Sequence, residues 1–220
     1  MGMNDKRDIT SIDFQRNRQT SPSQSTYSEQ PLSRETNVQR VNLNLGPKEA
    51  KHQEFPAHWE SPEKGLTVYL PSETFNERSP HRKAKRFLTE ALAAWTAVSH
   101  GKVTLIQVDV LVPETPDIQF HWTNETNPQR QYEVGRTESL KKNSFITHSD
   151  IYLQRDPIIY GHLSPHEEEA QFLSTLLHEL GHALGLEHTQ HPHSVMYYRS
   201  LQNTRITPED TAQLQRLYSG

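Results

Sequence analysis

Residues 178–188 read HELGHALGLEH, which places three histidines and a glutamate within eleven positions. His178 and His182 are four positions apart. On a helix of 3.6 residues per turn they share one face, one turn apart. Imidazole nitrogen is a good donor to Zn2+, and three protein ligands leave a fourth tetrahedral position for water. Glu179 is turned towards the side where that water would sit. Zinc lowers the pKa of such a water towards about 7, so a carboxylate can take its proton near neutral pH. Gly185 suits the point where the helix must stop, because leaving a helix often needs a positive φ. His188 then arrives as a third ligand. A chain of this composition matches these five positions by chance on the order of one time in ten thousand.

The surrounding sequence reads as a helix built to carry that motif. In SPHEEEAQFL, Ser164 is an N-cap, Pro165 opens the first turn and Glu167 completes a capping box. The apolar side follows as Ala170, Leu173, Leu176, Leu177, Leu180 and Leu184. A last helix opens in the same way, with Thr207, Pro208 and Asp210. An earlier one follows Ser79-Pro80, with Ala84, Phe87, Leu88, Ala91, Leu92, Trp95 and Val98 on one side and Gly101 placed to end it. Leu66, Val68 and Leu70 alternate with polar neighbours, as do Ile118, Phe120 and Trp122, and both stretches predict strands. KVTLIQVDV and FITHSDIYLQ are further strand candidates. The segment from Thr123 to Lys142 is polar, contains Pro128 and Gly135, and reads as loop. Helices and strands thus mix, which predicts an α+β domain.

The chain has 220 residues and only 32% apolar content. The deficit lies at the amino end, where residues 1–55 are rich in Ser, Thr, Asn, Gln, Arg and Glu. Such a stretch buries too little apolar surface to offset its ordering entropy, so it is expected to be mostly disordered, with the domain spanning 56–220. Net charge is −4 with both signs interspersed, which argues against nucleic acid as a partner. The longest apolar run, Ala91 to Val98, is far short of a membrane span. There is no cysteine, which excludes disulfides and thiolate metal sites. No apolar signal segment is visible in MGMNDKRDITSIDF, so the compartment is open.

HExxHxxGxxH followed by a methionine turn resembles the metzincin zinc peptidases. Met196 in SVMYY lies eight residues after His188, and Thr189 follows the third histidine; both are similar to the matrixin branch. HWESPEKGLTVYLPS, ALAAWTAVS, PDIQFHW and ITPEDTAQLQRLYSG also resemble, in order and character, a matrixin catalytic domain from about Trp59 to Gly220. The resemblance implies a twisted mixed sheet, an active-site helix, a Met-turn and a carboxy-terminal helix. It implies one catalytic Zn2+ on His178, His182 and His188, with Glu179 as general base and proton shuttle and Met196 as a hydrophobic floor. The implied reaction is hydrolysis of internal peptide bonds in a protein or peptide substrate, by a zinc-bound water that Glu179 activates. The chain is expected to act as a monomer. A peptidase of this generality is hazardous in its own cytoplasm, which favours export.

The sequence departs from the family at several points. Latency through a propeptide cysteine on the zinc is excluded. His191 stands where many matrixins have aspartate, and it reads with His193 as a loop histidine. Tyr198 replaces the usual proline after the Met-Tyr pair and so alters the wall of the specificity pocket. Met196-x-Tyr198 is also similar to astacins and serralysins, where such a tyrosine reaches the zinc, and Tyr198 is a secondary site candidate on that basis. His148 and Asp150, with His162 and His166 downstream, are the candidates for a structural zinc. Structural calcium is common in the family, but no acidic loop here has convincing ligand spacing. The alternative to an enzyme is a zinc-holding but inactive homologue that binds peptides. Glu179 argues against it, because only catalysis needs that carboxylate.

Overall fold

A computed structural model describes residues 56–75, 79–109, 115–124, 134–156, 163–199 and 202–219, and the backbone of 6–11. Residues 1–15 and 55–220 form one unit; 16–54 and His162 lie outside the described residues. Six strands form one sheet: β1 (Lys6–Ser11), β2 (Leu66–Tyr69), β3 (Leu105–Val108), β4 (Ile118–Thr123), β5 (Gly135–Lys142) and β6 (Phe145–Gln154). Their order is β1-β5-β6-β4-β2-β3. The strands β3, β2, β4 and β6 run parallel to one another, whereas β5 is antiparallel to both β6 and β1. Among the described residues, three α-helices complete the α+β fold: α1 (Ala84–Val98), α2 (Pro165–Ala183) and α3 (Pro208–Leu217).

The expected alternations are realised. Leu66, Val68 and Leu70 are buried, as are Ile118 and Phe120 on β4 and Ile151 and Leu153 on β6. They meet Leu88, Ala91 and Trp95 of α1 and Phe172, Leu176, Leu177 and Leu180 of α2 in one apolar core. Two tryptophans pin α2 from outside by placing their indole N–H groups on its main chain. Trp95 donates to the Leu177 carbonyl at 2.9 Å and Trp59 to the Ala183 carbonyl at 2.8 Å. A buried indole donor needs such a partner, so these bonds set the position of α2 as well as its burial.

The capping signals also hold. Both halves of the capping box form at Ser164 and Glu167, and again at Thr207 and Asp210. Ser79 and Pro80 open a short 3-10 turn, Pro80–Lys83, that runs directly into α1. After Leu184 the chain leaves α2 through Gly185 at φ +92°, and a Cβ there would lie 2.2 Å from the Ala57 carbonyl oxygen. Glycine is required at that position by conformation and by space alike.

One expectation needs correction. The polar stretch Thr123 to Lys142 was predicted to be loop, yet its second part is β5. It forms because β6 offers it an antiparallel partner, from Gly135 opposite Leu153 to Leu140 opposite His148 and, after a register shift, from Lys141 opposite Ile146 to Lys142 opposite Phe145, with a turn through Asn143. Its polar sequence reflects what it packs against. Within the segment 1–55, expected to be mostly disordered, Lys6–Ser11 forms β1 along the outer edge of β5. An unpaired sheet edge presents free N–H and C=O groups to any extended segment nearby.

Candidate metal centre and active site

α2 is buried from Gln171 through Ala183, polar residues included. His178 and His182 therefore lie inside the domain, one turn apart, and the turn after Gly185 carries His188 back to face them. The three Nε2 atoms form a small triangle: 2.9 Å from His178 to His182, 3.1 Å from His182 to His188 and 3.2 Å from His178 to His188. Ring tautomers follow from the other nitrogens. His178 Nδ1 faces the Val195 carbonyl at 2.6 Å and His182 Nδ1 faces the Leu186 carbonyl at 2.9 Å. A carbonyl can only accept, so each Nδ1 carries the proton and donates, and each Nε2 presents a lone pair to the common centre.

That arrangement fits a cation. Zinc–nitrogen bonds of about 2.0–2.1 Å at tetrahedral angles place donor atoms about 3.3 Å apart, close to the observed spacings. Burial, and after it the neighbouring His188, push the His178 imidazole down to about 3, so the ring is neutral and available as a ligand. Among the described residues, His178, His182 and His188 are the one group of three whose donor atoms converge within 4.8 Å.

Glu179, next to His178 on α2, is fully buried. Its carboxylate lies against β5. Thr137 Oγ1 is 2.6 Å from Glu179 Oε2 and 3.1 Å from the Glu179 main-chain oxygen. Beside it, a Cβ on Gly135 would fall 2.8 Å from Glu179 Oε1. Farther along the same strand, Ser139 and Lys141 wall an open cleft of about 410 Å³, whose other side is formed by His182, the Gly185–Glu187 turn and His188. The histidine triangle is thus open to solvent on one side, where His188 is exposed.

Met196 is fully buried and lies under α2, so that a Cβ on Gly181 would be 2.3 Å from its Sδ. The turn that carries it is held by Asp210, itself buried. The carboxylate of Asp210 accepts from Ser194 Oγ, from the Val195 N–H at 3.2 Å and from Thr207 at the start of α3. Tyr198 packs its ring against Tyr197, with centroids 4.7 Å apart, and the Arg199 guanidinium lies 5.2 Å over it. His191 and His193 are exposed on the loop, as expected of loop histidines.

Of the residues considered for a structural zinc, His148 and Asp150 are bonded to each other. On β6, Asp150 Oδ1 accepts from His148 Nε2 at 3.2 Å and, across from β4, from His121 Nε2 at 2.7 Å. His148 Nδ1 donates to the Pro116 carbonyl at 3.0 Å. Hydrogen bonds from His121 and His148 hold the Asp150 carboxyl well below its usual range despite its partial burial, and the bond to Asp150 raises the His148 imidazole. His166 is exposed at the start of α2.

Sequence reading missed Thr137, Gly135, Gly181 and the second role of Asp210. A signal for the first two was present. Gly135, Thr137 and Ser139 form a small-residue alternation, in which the strand face towards a helix carries no bulk.

Residues 58–219 match the sequence profile of the matrixins. Over 51 residues, 21% of this chain, the sequence is 45% identical to matrilysin of Felis catus. The aligned stretch covers 20% of that relative, so the chain spans about a fifth of its length. Zinc and proteolysis are what the family implies, and the histidine triangle fits the ion. On the match over most of its length, the chain belongs to the matrixin family of metalloproteases.

Proposed function

We propose that this chain is a zinc-dependent endopeptidase that hydrolyses internal peptide bonds. The observation that carries the reading is the convergence of three imidazoles on one centre, with a buried carboxylate on the adjoining residue of the same helix. His178, His182 and His188 would hold the metal through Nε2, and Val195 and Leu186 keep the first two rings in the tautomer that allows it. A zinc ion held there supplies Lewis acidity, polarising a carbonyl and making water acidic enough to lose a proton near neutral pH. Glu179 accepts that proton and returns it to the amine nitrogen that leaves when the peptide bond breaks. Met196 supports the ligand helix from below. The cleft beside His182 and His188 gives the histidine triangle a solvent-facing side at which a peptide substrate would approach.

The test is cleavage of a quenched-fluorescent peptide mixture by the zinc-loaded protein, with Glu179→Ala as control. Cleavage by the wild type, lost in the variant and blocked by a chelator, is the expected result. No cleavage by zinc-bound protein, before and after removal of residues 1–55, would instead support an inactive peptide-binding homologue.

A further inference from the structure

β5 stands outside the histidine motif, yet it provides the immediate surroundings of the Glu179 carboxylate. Side chains alternate along a strand, so Gly135, Thr137 and Ser139 share the face towards α2. Arg136 and Glu138 face the other way, paired at 3.1 Å, with the Arg136 guanidinium over Tyr152. A strand packed on a helix ordinarily fills its inner face with apolar bulk. Here the inner face holds a glycine and two hydroxyls, and each of the three has a specific contact.

Gly135 leaves room. A side chain there would press on Glu179 Oε1 and on its Cγ at 2.9 Å, and on the Thr175 methyl at 2.8 Å. Thr137 supplies a bond. Its hydroxyl has one proton and two candidate acceptors, Glu179 Oε2 at 2.6 Å and the Glu179 main-chain oxygen at 3.1 Å. The shorter contact, to the carboxyl oxygen, takes the proton. Thr137 is 1% exposed and Glu179 is 0% exposed, so the bond lies where water does not compete and is correspondingly stronger. Ser139, next on the same face, bonds to Ser149 at 2.8 Å and ties β5 to β6. The strand that carries Thr137 is thereby fixed relative to the sheet.

We propose that Thr137 is a positioning residue for the general base: its hydroxyl holds Oε2 of Glu179, so the carboxylate meets the proton of the attacking water in one orientation. This rests on the reading of Glu179 as that base. A base held in place before the reaction has no reorganisation to make during it. Loss of the hydroxyl therefore slows the chemical step and leaves peptide binding nearly unchanged.

The experiment compares Thr137→Val, which keeps the shape and removes the hydroxyl, with Thr137→Ser, which keeps the hydroxyl and removes the methyl. Thr137→Ala is the substitute should the valine variant not fold. In zinc-loaded protein, Val or Ala is expected to lower kcat about 10- to 100-fold with KM within about twofold, and Ser to restore kcat to within about threefold of wild type. Unchanged kcat in Val or Ala overturns the proposal. So does a serine variant as slow as the valine one, because the methyl packing would then be what matters. A second readout needs no turnover: the 13C carboxyl resonance of Glu179, assigned by its loss in Glu179→Gln, is expected to move in Thr137→Val and return in Thr137→Ser. If the wild type cleaves no peptide, the functional reading falls, while a resonance unmoved in Thr137→Val overturns the Thr137 contact itself.

Discussion

Asp210 of α3 and His178 of α2 are linked through one residue. Val195 donates its N–H to Asp210 Oδ2 at 3.2 Å, and its carbonyl accepts from His178 Nδ1 at 2.6 Å. The capping residue of the last helix therefore also orients a ring of the histidine triangle. Partners that orient a ligating histidine are typically worth 10–100-fold in metal affinity. Asp210→Ala is expected to weaken zinc binding by about that factor, read by competition with a chromophoric chelator. Affinity within about twofold of wild type would show that the methionine turn keeps its shape without the carboxylate.

Gly181 sits between the two helical histidines because Met196 occupies the space a side chain would need. In Gly181→Ala the added methyl meets Met196 Sδ, and meets Trp95 Cζ2 at 3.1 Å. Overpacking of this kind costs about 1–3 kcal/mol, more than the roughly 1 kcal/mol that alanine gains over glycine in helix propensity. Urea denaturation is expected to show net destabilisation. Combined with Met196→Ala the two changes are expected to be non-additive, the double variant being more stable than the sum predicts. Simple additivity would mean that the two residues do not compete for space.

Tyr198 has its ring against Tyr197 and under Arg199, which is a packing role. Tyr198→Phe is expected to keep bound zinc and to leave kcat within about twofold. A loss of tenfold or more with zinc retained would place the phenol at the reacting centre instead, as in the astacin-like arrangement.

His81 gives the fold a pH dependence of predictable sign. Its ring is almost fully buried among Phe75, Trp122 and Phe172, with centroids 4.6 to 5.1 Å away. Burial lowers the imidazole from 6.5 to about 4, against the opposing influence of Asp156 and the Arg155 backbone. The unfolded chain takes up this proton below pH 6.5 and the folded chain does not. Its contribution is therefore full above 6.5 and is lost as pH falls towards 4, amounting to about 2 kcal/mol by pH 5. His148, with its imidazole raised by Asp150, acts in the opposite direction, its contribution being present below 6.5 and lost as pH rises. His81→Phe is expected to lose less stability than wild type between pH 7 and pH 5 in denaturant titrations. Equal losses would mean that the ring is protonated in the folded protein.

The parts of the fold that were legible in the sequence share a property. The capping boxes at Ser164 and Thr207, the i, i+4 histidines, the glycine exit at Gly185 and the alternations of β2, β4 and β6 are each set by residues a few positions apart. β5 was misread for the opposite reason. Its inner face is Gly135, Thr137 and Ser139 because it must make room for the carboxylate of Glu179, more than forty positions later, and bond it. An alternation of small and hydroxyl residues carries no hydrophobic period to detect. β1 was likewise hidden, since its pairing depends on an edge that the misread strand supplies.

The sequence by itself determined the helix-borne half of the site: two histidines on one face, a carboxylate between them, and a turn returning a third histidine. Helical spacing and the backbone freedom of Gly185 are local properties, complete within the eleven residues of the motif. Only the tertiary structure decided how that half is held. β5 encloses Glu179, Met196 fills the space left by Gly181, and Asp210 orients His178 through Val195. Those contacts join residues distant along the chain, and the packed core of sheet and helices is what brings them together.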